Sequence, residues 1–127
     1  MAPTIMIADD DLALTEALTV RLEAEGYRVI VSADGYQTLH QIVQLQPDVV
    51  LLDVNMPAGD GFTVLDRAAR LGNVIEKTAV IFVTGEQSDR VENAVRDHGA
   101  FAVIRKPFAT EELLETVKAA LEYGVAA

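Results

Sequence analysis

The chain has no cysteine, which removes disulfide frameworks and thiolate metal centres from consideration. It has no basic run longer than Arg105-Lys106, and its formal net charge is −10. A free-standing nucleic-acid binder carries a basic face, so direct contact with nucleic acid or an anionic membrane surface is not expected. No apolar run approaches the roughly 18 residues of a membrane span. The N-terminus lacks a basic segment followed by a long apolar stretch, so no signal peptide is read there. Internal repeats, low-complexity tracts and linkers are also missing. A cytoplasmic location is expected, which the absence of cysteine permits without proving, and no membrane association is expected. What is left is ordinary: 127 residues, 50% hydrophobic and 24% charged, suit one globular domain over residues 1–127. Such a domain buries roughly two thirds of its unfolded surface. Most of the glutamates read as solvating helix surfaces.

Several short apolar runs end in chemistry-bearing residues. Asp9-Asp10-Asp11 follows Thr4–Ala8, and Asp53 follows Val49–Leu52. Thr84-Gly85 follows Ala79–Val83, and Lys106-Pro107 follows Phe101–Arg105. Runs of this length, rich in Val and Ile, read as buried parallel strands. Parallel strands of one sheet end on one edge, and in open α/β sheets ligands bind at that edge. A carboxylate cluster, a hydroxyl and a lysine are therefore expected to converge, which is the equipment of metal and phosphoryl chemistry.

Between the runs lie helix-like stretches. Residues 12–25 carry Leu14, Leu18 and Leu22 on one stripe, with Asp11 as N-cap and Gly26 as the residue after the helix. Tyr27–Val31 alternates as a second strand, and residues 36–45 form a helix stopped by Pro47. A third helix starts after Gly61 and ends near Gly72, after which Asn73–Thr78 reads as irregular. The fourth runs from Asp89 to His98, with Ser88 as cap and Gly99 as stop. Residues 101–104 are the fifth strand. The fifth helix opens on Thr110-Glu111-Glu112, with Thr110 as cap, and fades at Gly124. The pattern is (βα)₅, a doubly wound parallel sheet.

Taken together, these residues resemble the receiver domain of two-component response regulators over essentially the whole chain. The matching residues are Asp9-Asp10, Asp53-Val54-Asn55-Met56-Pro57 with Gly61, Thr84-Gly85, and Lys106-Pro107-Phe108. The resemblance implies a flavodoxin-like sheet of order 2-1-3-4-5, which sets the first and third strands side by side at the switch point.

Asp9, Asp10 and Asp53, brought within a few ångströms, repel one another and raise a pKa unless a cation intervenes. An all-oxygen site suits Mg²⁺, and the family pattern implies Asp9 or Asp10, Asp53 and the backbone carbonyl of Asn55 as ligands. Asp53 is the expected phosphoacceptor, since a carboxylate can attack phosphorus to form an acyl phosphate. The donor implied is a sensor histidine kinase, a histidine phosphotransfer protein or a small phosphodonor. Lys106 is expected to neutralise the moving phosphoryl group, aimed by a Lys106-Pro107 bond that is cis in the family. Thr84 is the implied switch hydroxyl, and side-chain-free Gly85 leaves the phosphate approachable. Asn55 and Glu86 fall where the family tunes hydrolysis of the acyl phosphate. Asp11 is read as a cap, Asp48 and Asp60 as turn or strand-edge residues, and His40 and His98 as surface or cap residues. Tyr36, Phe62, Phe108 and Tyr123 are read as packing residues or amphipathic rim rather than a cofactor box.

One departure stands out. Val103 occupies the switch position where the family carries an aromatic. A valine, small and stiff at χ1, cannot sweep a ring's volume. Phe101 is read as lying on the same strand face, too far along to replace it. Activation is therefore expected to rest on movement around Thr84.

The functional expectation is a phosphorylatable switch, not an enzyme beyond its own phosphorylation and dephosphorylation. It would change a protein-interaction face built from the fourth helix, fifth strand and fifth helix, for an unknown output protein or domain. Homodimerisation through that face is left open. Met1-Ala2-Pro3 reads as a natural start, which suits a short single-domain regulator and the N-terminal receiver of a larger protein alike. Three other readings compete with this one. A flavodoxin-like FMN-binding module needs a Ser/Thr/Gly-rich loop after the first strand, where this chain has three aspartates. An aspartyl-phosphate hydrolase usually places its nucleophile after the first strand. A degenerate receiver that takes no phosphate is disfavoured by retention of the key residue types.

Overall fold

The computed structural model describes residues 2–58, 60–71, 77–86 and 89–126, with backbone alone at 69, 98 and 124–126. Strands and helices alternate as β1 (Thr4–Ala8), α1 (Leu12–Ala24), β2 (Arg28–Ser32), α2 (Gly35–Leu45), β3 (Val49–Leu52), α3 (Gly61–Arg70), β4 (Ala79–Thr84), α4 (Asp89–His98), β5 (Ala102–Arg105) and α5 (Thr110–Ala126). All strand pairings are parallel and the order is β2-β1-β3-β4-β5, as expected. The order reverses between β1 and β3.

Two apolar layers sandwich the sheet because alternate strand residues face opposite sides. Met6, Ala8, Val50, Leu52, Val80 and Phe82 face a layer closed by Ile42 of α2, Val64 and Leu65 of α3, and Val91 and Ala94 of α4. Ile5, Ile7, Val49, Leu51, Ile81 and Val83 face Leu18 and Leu22 of α1 and Leu113 and Val117 of α5. Each Leu, Ile or Phe fully buried in this way contributes about 1.5–3 kcal/mol. The α1 stripe is as expected, with Leu18 and Leu22 buried and Leu14 packed at its rim.

Helix starts are set by side-chain caps. Asp11 accepts from Leu14 N at 3.1 Å, Asp34 from Gln37 N at 2.7 Å and Asp60 from Thr63 N at 2.8 Å. Asp60 is thus a helix cap, while Asp48 receives Thr4 N at 2.8 Å beside the start of β1. Gly26 ends α1 at φ +91, where a Cβ is disfavoured.

Several boundaries differ from the sequence reading. β2 is shifted one residue, to Arg28–Ser32, with Tyr27 N closing α1 on Leu22 O instead. β4 extends to Thr84 because Lys106 N still pairs with Thr84 O. Thr110 is the first residue of α5, and the Ala109 carbonyl before it accepts from Leu113 N. The helix runs past Gly124 to Ala126. Phe101 precedes β5 in a bend, so strand alternation does not reach it. It packs in the α1/α5 layer and against Tyr123, ring centroids 5.7 Å apart. Val103 packs in the opposite layer, so the expectation that the two share a face is wrong. Ser88, Gly72 and the stretch 73–76 fall outside the described residues. Thr78 is buried and donates to Pro47 O at 2.7 Å.

Candidate functional site

The site is assembled by extending strand pairing one residue past the strand ends. Asp53 N donates to Ala8 O at 2.9 Å and Asp9 N to Ser32 O at 3.0 Å. The residues following β1 and β3 are thereby locked side by side. The Lys106 N to Thr84 O bond, 2.9 Å, does the same for β4 and β5. The Lys106-Pro107 peptide is cis, as the resemblance implied.

The side chains meet as the sequence led one to expect. Asp9 and Asp53 are buried and Asp10 is exposed at the rim. Carboxylate oxygens of the three lie within 4.8 Å of one another. Asp9 Oδ1 accepts from Asp11 N at 2.9 Å, and its Oδ2 accepts from Lys106 Nζ at 2.8 Å. Lys106 Nζ also stands 3.5 Å from Asp53 Oδ2. Asn55 N donates to Asp53 Oδ1 at 3.3 Å. One ammonium thus faces two buried carboxylates, leaving a net negative charge in a poorly solvated pocket.

The electrostatics follow. Burial first, then the neighbouring Asp9 charge, push the Asp53 carboxyl above its ordinary range, and Lys106 only partly offsets them. Burial of Lys106 acts to lower its pKa, but the hydrogen bond to Asp9 and the charges of Asp53 and Asp9 outweigh it and raise it. The lysine therefore stays protonated. The uncompensated carboxylate charge and the all-oxygen donor set fit a hard divalent cation of the Mg²⁺ type.

α3 begins hard against Asp53. Gly61 N donates to Val54 O at 2.9 Å, and a Cβ at Gly61 would lie 2.7 Å from Asp53 O. No other residue fits without moving the backbone that carries Asp53. At Gly85, by contrast, an added Cβ would meet nothing within 4 Å, in keeping with an approachable site.

Thr84 is fully buried, and its Oγ1 accepts from Glu86 N at 3.0 Å. The candidate hydrolysis-tuning residue is thus bonded to the candidate switch hydroxyl. Val103 is not at the carboxylate cluster; it pairs in register with buried Phe82 beneath it. His40 is exposed, and the His98 side chain is outside the described ones. Tyr36 and Tyr123 are largely exposed, Phe62 and Phe108 partly buried.

Two arginines escaped sequence reasoning. Arg105 Nη1 donates to Glu86 O at 2.6 Å. Arg90 pairs with Asp60 at 3.5 Å, approaches Glu86 at 4.0 Å and lies over the Phe62 ring at 4.9 Å. The one trace of Arg105 in the sequence was its place in the longest basic run.

With this geometry in hand, comparison with known proteins is informative. The response regulator receiver domain profile matches residues 5–118. The DNA-binding dual master transcriptional regulator RpaA of Synechocystis sp. is 40% identical over 124 residues, covering 94% of this chain and 49% of that protein. Response regulator MprA of Mycobacterium sp. is 36% identical over 121 residues, covering 95% and 51%. The chain spans about half the length of these curated relatives. The crystal structure of a CheY-like response regulator receiver domain protein from Methanospirillum hungatei superimposes with a TM-score of 0.91 at 30% identity, covering 99% of this chain and 98% of that one.

Proposed function

The chain belongs to the response regulator receiver family, and from that premise we propose that Asp53 is its phosphoacceptor and that residues 1–127 act as one receiver unit. The observation that carries this is the single ammonium of Lys106 set between Asp9 and Asp53 beside the rim carboxylate of Asp10.

In the proposed step, a carboxylate oxygen of Asp53 forms the P–O bond while the P–N bond to a donor histidine breaks, its electron pair staying on the imidazole. Lys106 Nζ, within reach of both carboxylates, neutralises the charge that the phosphoryl oxygens bring in. Mg²⁺, when bound, supplies the remaining neutralisation, held by Asp9, Asp10, Asp53 and the Asn55 carbonyl. Thr84 donates its hydroxyl to a phosphoryl oxygen after giving up the Glu86 N–H, and the β4–α4 segment follows. Asn55 and Glu86 govern access of the water that later hydrolyses the acyl phosphate.

The donor is a sensor histidine kinase or a histidine phosphotransfer protein, and the output partner reads the α4–β5–α5 face. That face is also the candidate homodimer surface. Among the described residues no helix is long and apolar enough to cross a membrane. The protein works in the cytoplasm and is not an enzyme beyond handling its own phosphoryl group. The FMN-binding alternative is not favoured, because buried Asp9 and Asp53 would repel a flavin phosphate.

Beryllofluoride, a phosphoryl mimic, tests the assignment. With Mg²⁺ it is expected to shift the backbone amide NMR signals of Thr84, Glu86 and Lys106 in the wild type and to leave Asp53→Asn unchanged. Equal shifts in both proteins, or none in the wild type, would defeat it.

A further inference from the structure

Thr84 and Arg105 are register partners at the ends of β4 and β5. From there the Arg105 side chain turns back over the corner and donates to the Glu86 carbonyl at 2.6 Å. Glu86 N donates in turn to Thr84 Oγ1 at 3.0 Å. Both backbone polar groups of Glu86 are thus engaged, one by the switch hydroxyl and one by an arginine from the neighbouring strand. On the far side Arg90 approaches the Glu86 carboxylate at 4.0 Å and pairs with Asp60 at 3.5 Å.

The two arginines do not weigh equally. Arg90 is mostly exposed, and exposed ion pairs contribute little. The Arg105 bond is short, charge-assisted and partly buried, the kind that is roughly twice as strong as a neutral one. Arg105 acts at the Glu86 carbonyl. Its point of action is the segment that must move if Thr84 is to leave Glu86 N.

We propose that Arg105 is a positioning residue that latches the backbone at Glu86, just past β4, holding the Thr84 hydroxyl on the Glu86 amide until a phosphoryl group competes for it. The proposal rests on the phosphoacceptor reading of Asp53. A ligand shifts a two-state equilibrium only by its differential affinity, and a bond present only in the resting state lowers the competent fraction and so the apparent affinity for the activating group. Where Val103 denies this chain an aromatic lever on β5, Arg105 gives the same strand a different hold on the switch.

The test is the apparent Kd for beryllofluoride in saturating Mg²⁺, with thermal stability measured alongside. Arg105→Ala is expected to bind at least about tenfold more tightly than wild type, the size of one charge-assisted hydrogen bond, with the Glu86 and Thr84 amide signals of the free protein displaced towards their bound positions. Arg105→Lys, which still offers a cationic donor to a single carbonyl, returns the Kd towards wild type. Arg105→Met keeps the packing stem and carries the same expectation if the alanine variant loses stability. General loosening of the fold would weaken binding, so tighter binding with lysine rescue is specific to a latch. Equal or weaker binding in both Arg105→Ala and Arg105→Met overturns it. If wild type itself gives no response dependent on Asp53, the phosphoacceptor assignment fails and takes the latch with it; a normal wild-type response with unchanged Arg105 variants removes the latch alone.

Discussion

At the residue scale the site is defined by charge that does not balance. Two buried carboxylates share one ammonium, and Asp53 carries the strain as a raised pKa caused first by burial and then by Asp9. Because the folded-state value lies above the ordinary 3.8, the native state binds the proton more tightly than the unfolded chain. The resulting destabilisation is absent below 3.8 and complete above the raised value, so stability falls as pH rises through that window. Asp53→Asn removes the charge and is expected to raise Tm at neutral pH by a few degrees, on the order of 1 kcal/mol for a domain of this size. The gain should shrink as acid protonates wild-type Asp53, and Tm measured from pH 7 down to pH 4 checks it. A neutral-pH Tm that drops on substitution would mean that Lys106 overcompensates the pair. These residues were legible in the sequence because carboxylates and a lysine at strand ends converge wherever the sheet is parallel. Arg105 and Arg90 were not, since a long side chain's partner depends on which way it turns, and periodicity does not encode that.

At the scale of elements, β5 is where this chain departs most from expectation. Val103 and Phe101 point into different layers, because the strand starts at Ala102 and a bend resets the alternation at its entry. Short edge strands have too few residues for a period of two to fix where they begin. The same limit explains the shift of β2, the other edge strand. By contrast Asp11, Gly26 and the Leu14–Leu18–Leu22 stripe were readable, since capping and helical spacing are local chemistry. Val103→Tyr tests whether β5 can take up coupling. The ring must either insert beside Phe82, with an overpacking cost of about 1–3 kcal/mol, or lie outward. On beryllofluoride saturation the variant is expected to spread amide shift changes further along α4 and α5 than wild type does. An unchanged pattern would mean that position 103 plays no part in coupling.

For the whole molecule, the order β2-β1-β3-β4-β5 matters more than any single contact. It makes β1 and β3 neighbours, so Asp9 and Asp53 extend one ladder, and it brings β4 beside β5, so Thr84, Glu86, Arg105 and Lys106 form one corner. The sequence pattern of alternating strands and helices established a parallel sheet, but strand order came only through family resemblance, because apolar runs carry no address for their neighbours. This topology is proposed to serve one end, the presentation of Asp53 to a phosphoryl donor. Intact mass after incubation with acetyl phosphate and Mg²⁺ is the decisive measurement. Wild type is expected to gain one phosphoryl group, to lose the gain when Mg²⁺ is chelated, and to show none in Asp53→Asn; an Asp53→Asn protein that gains the same mass would contradict it.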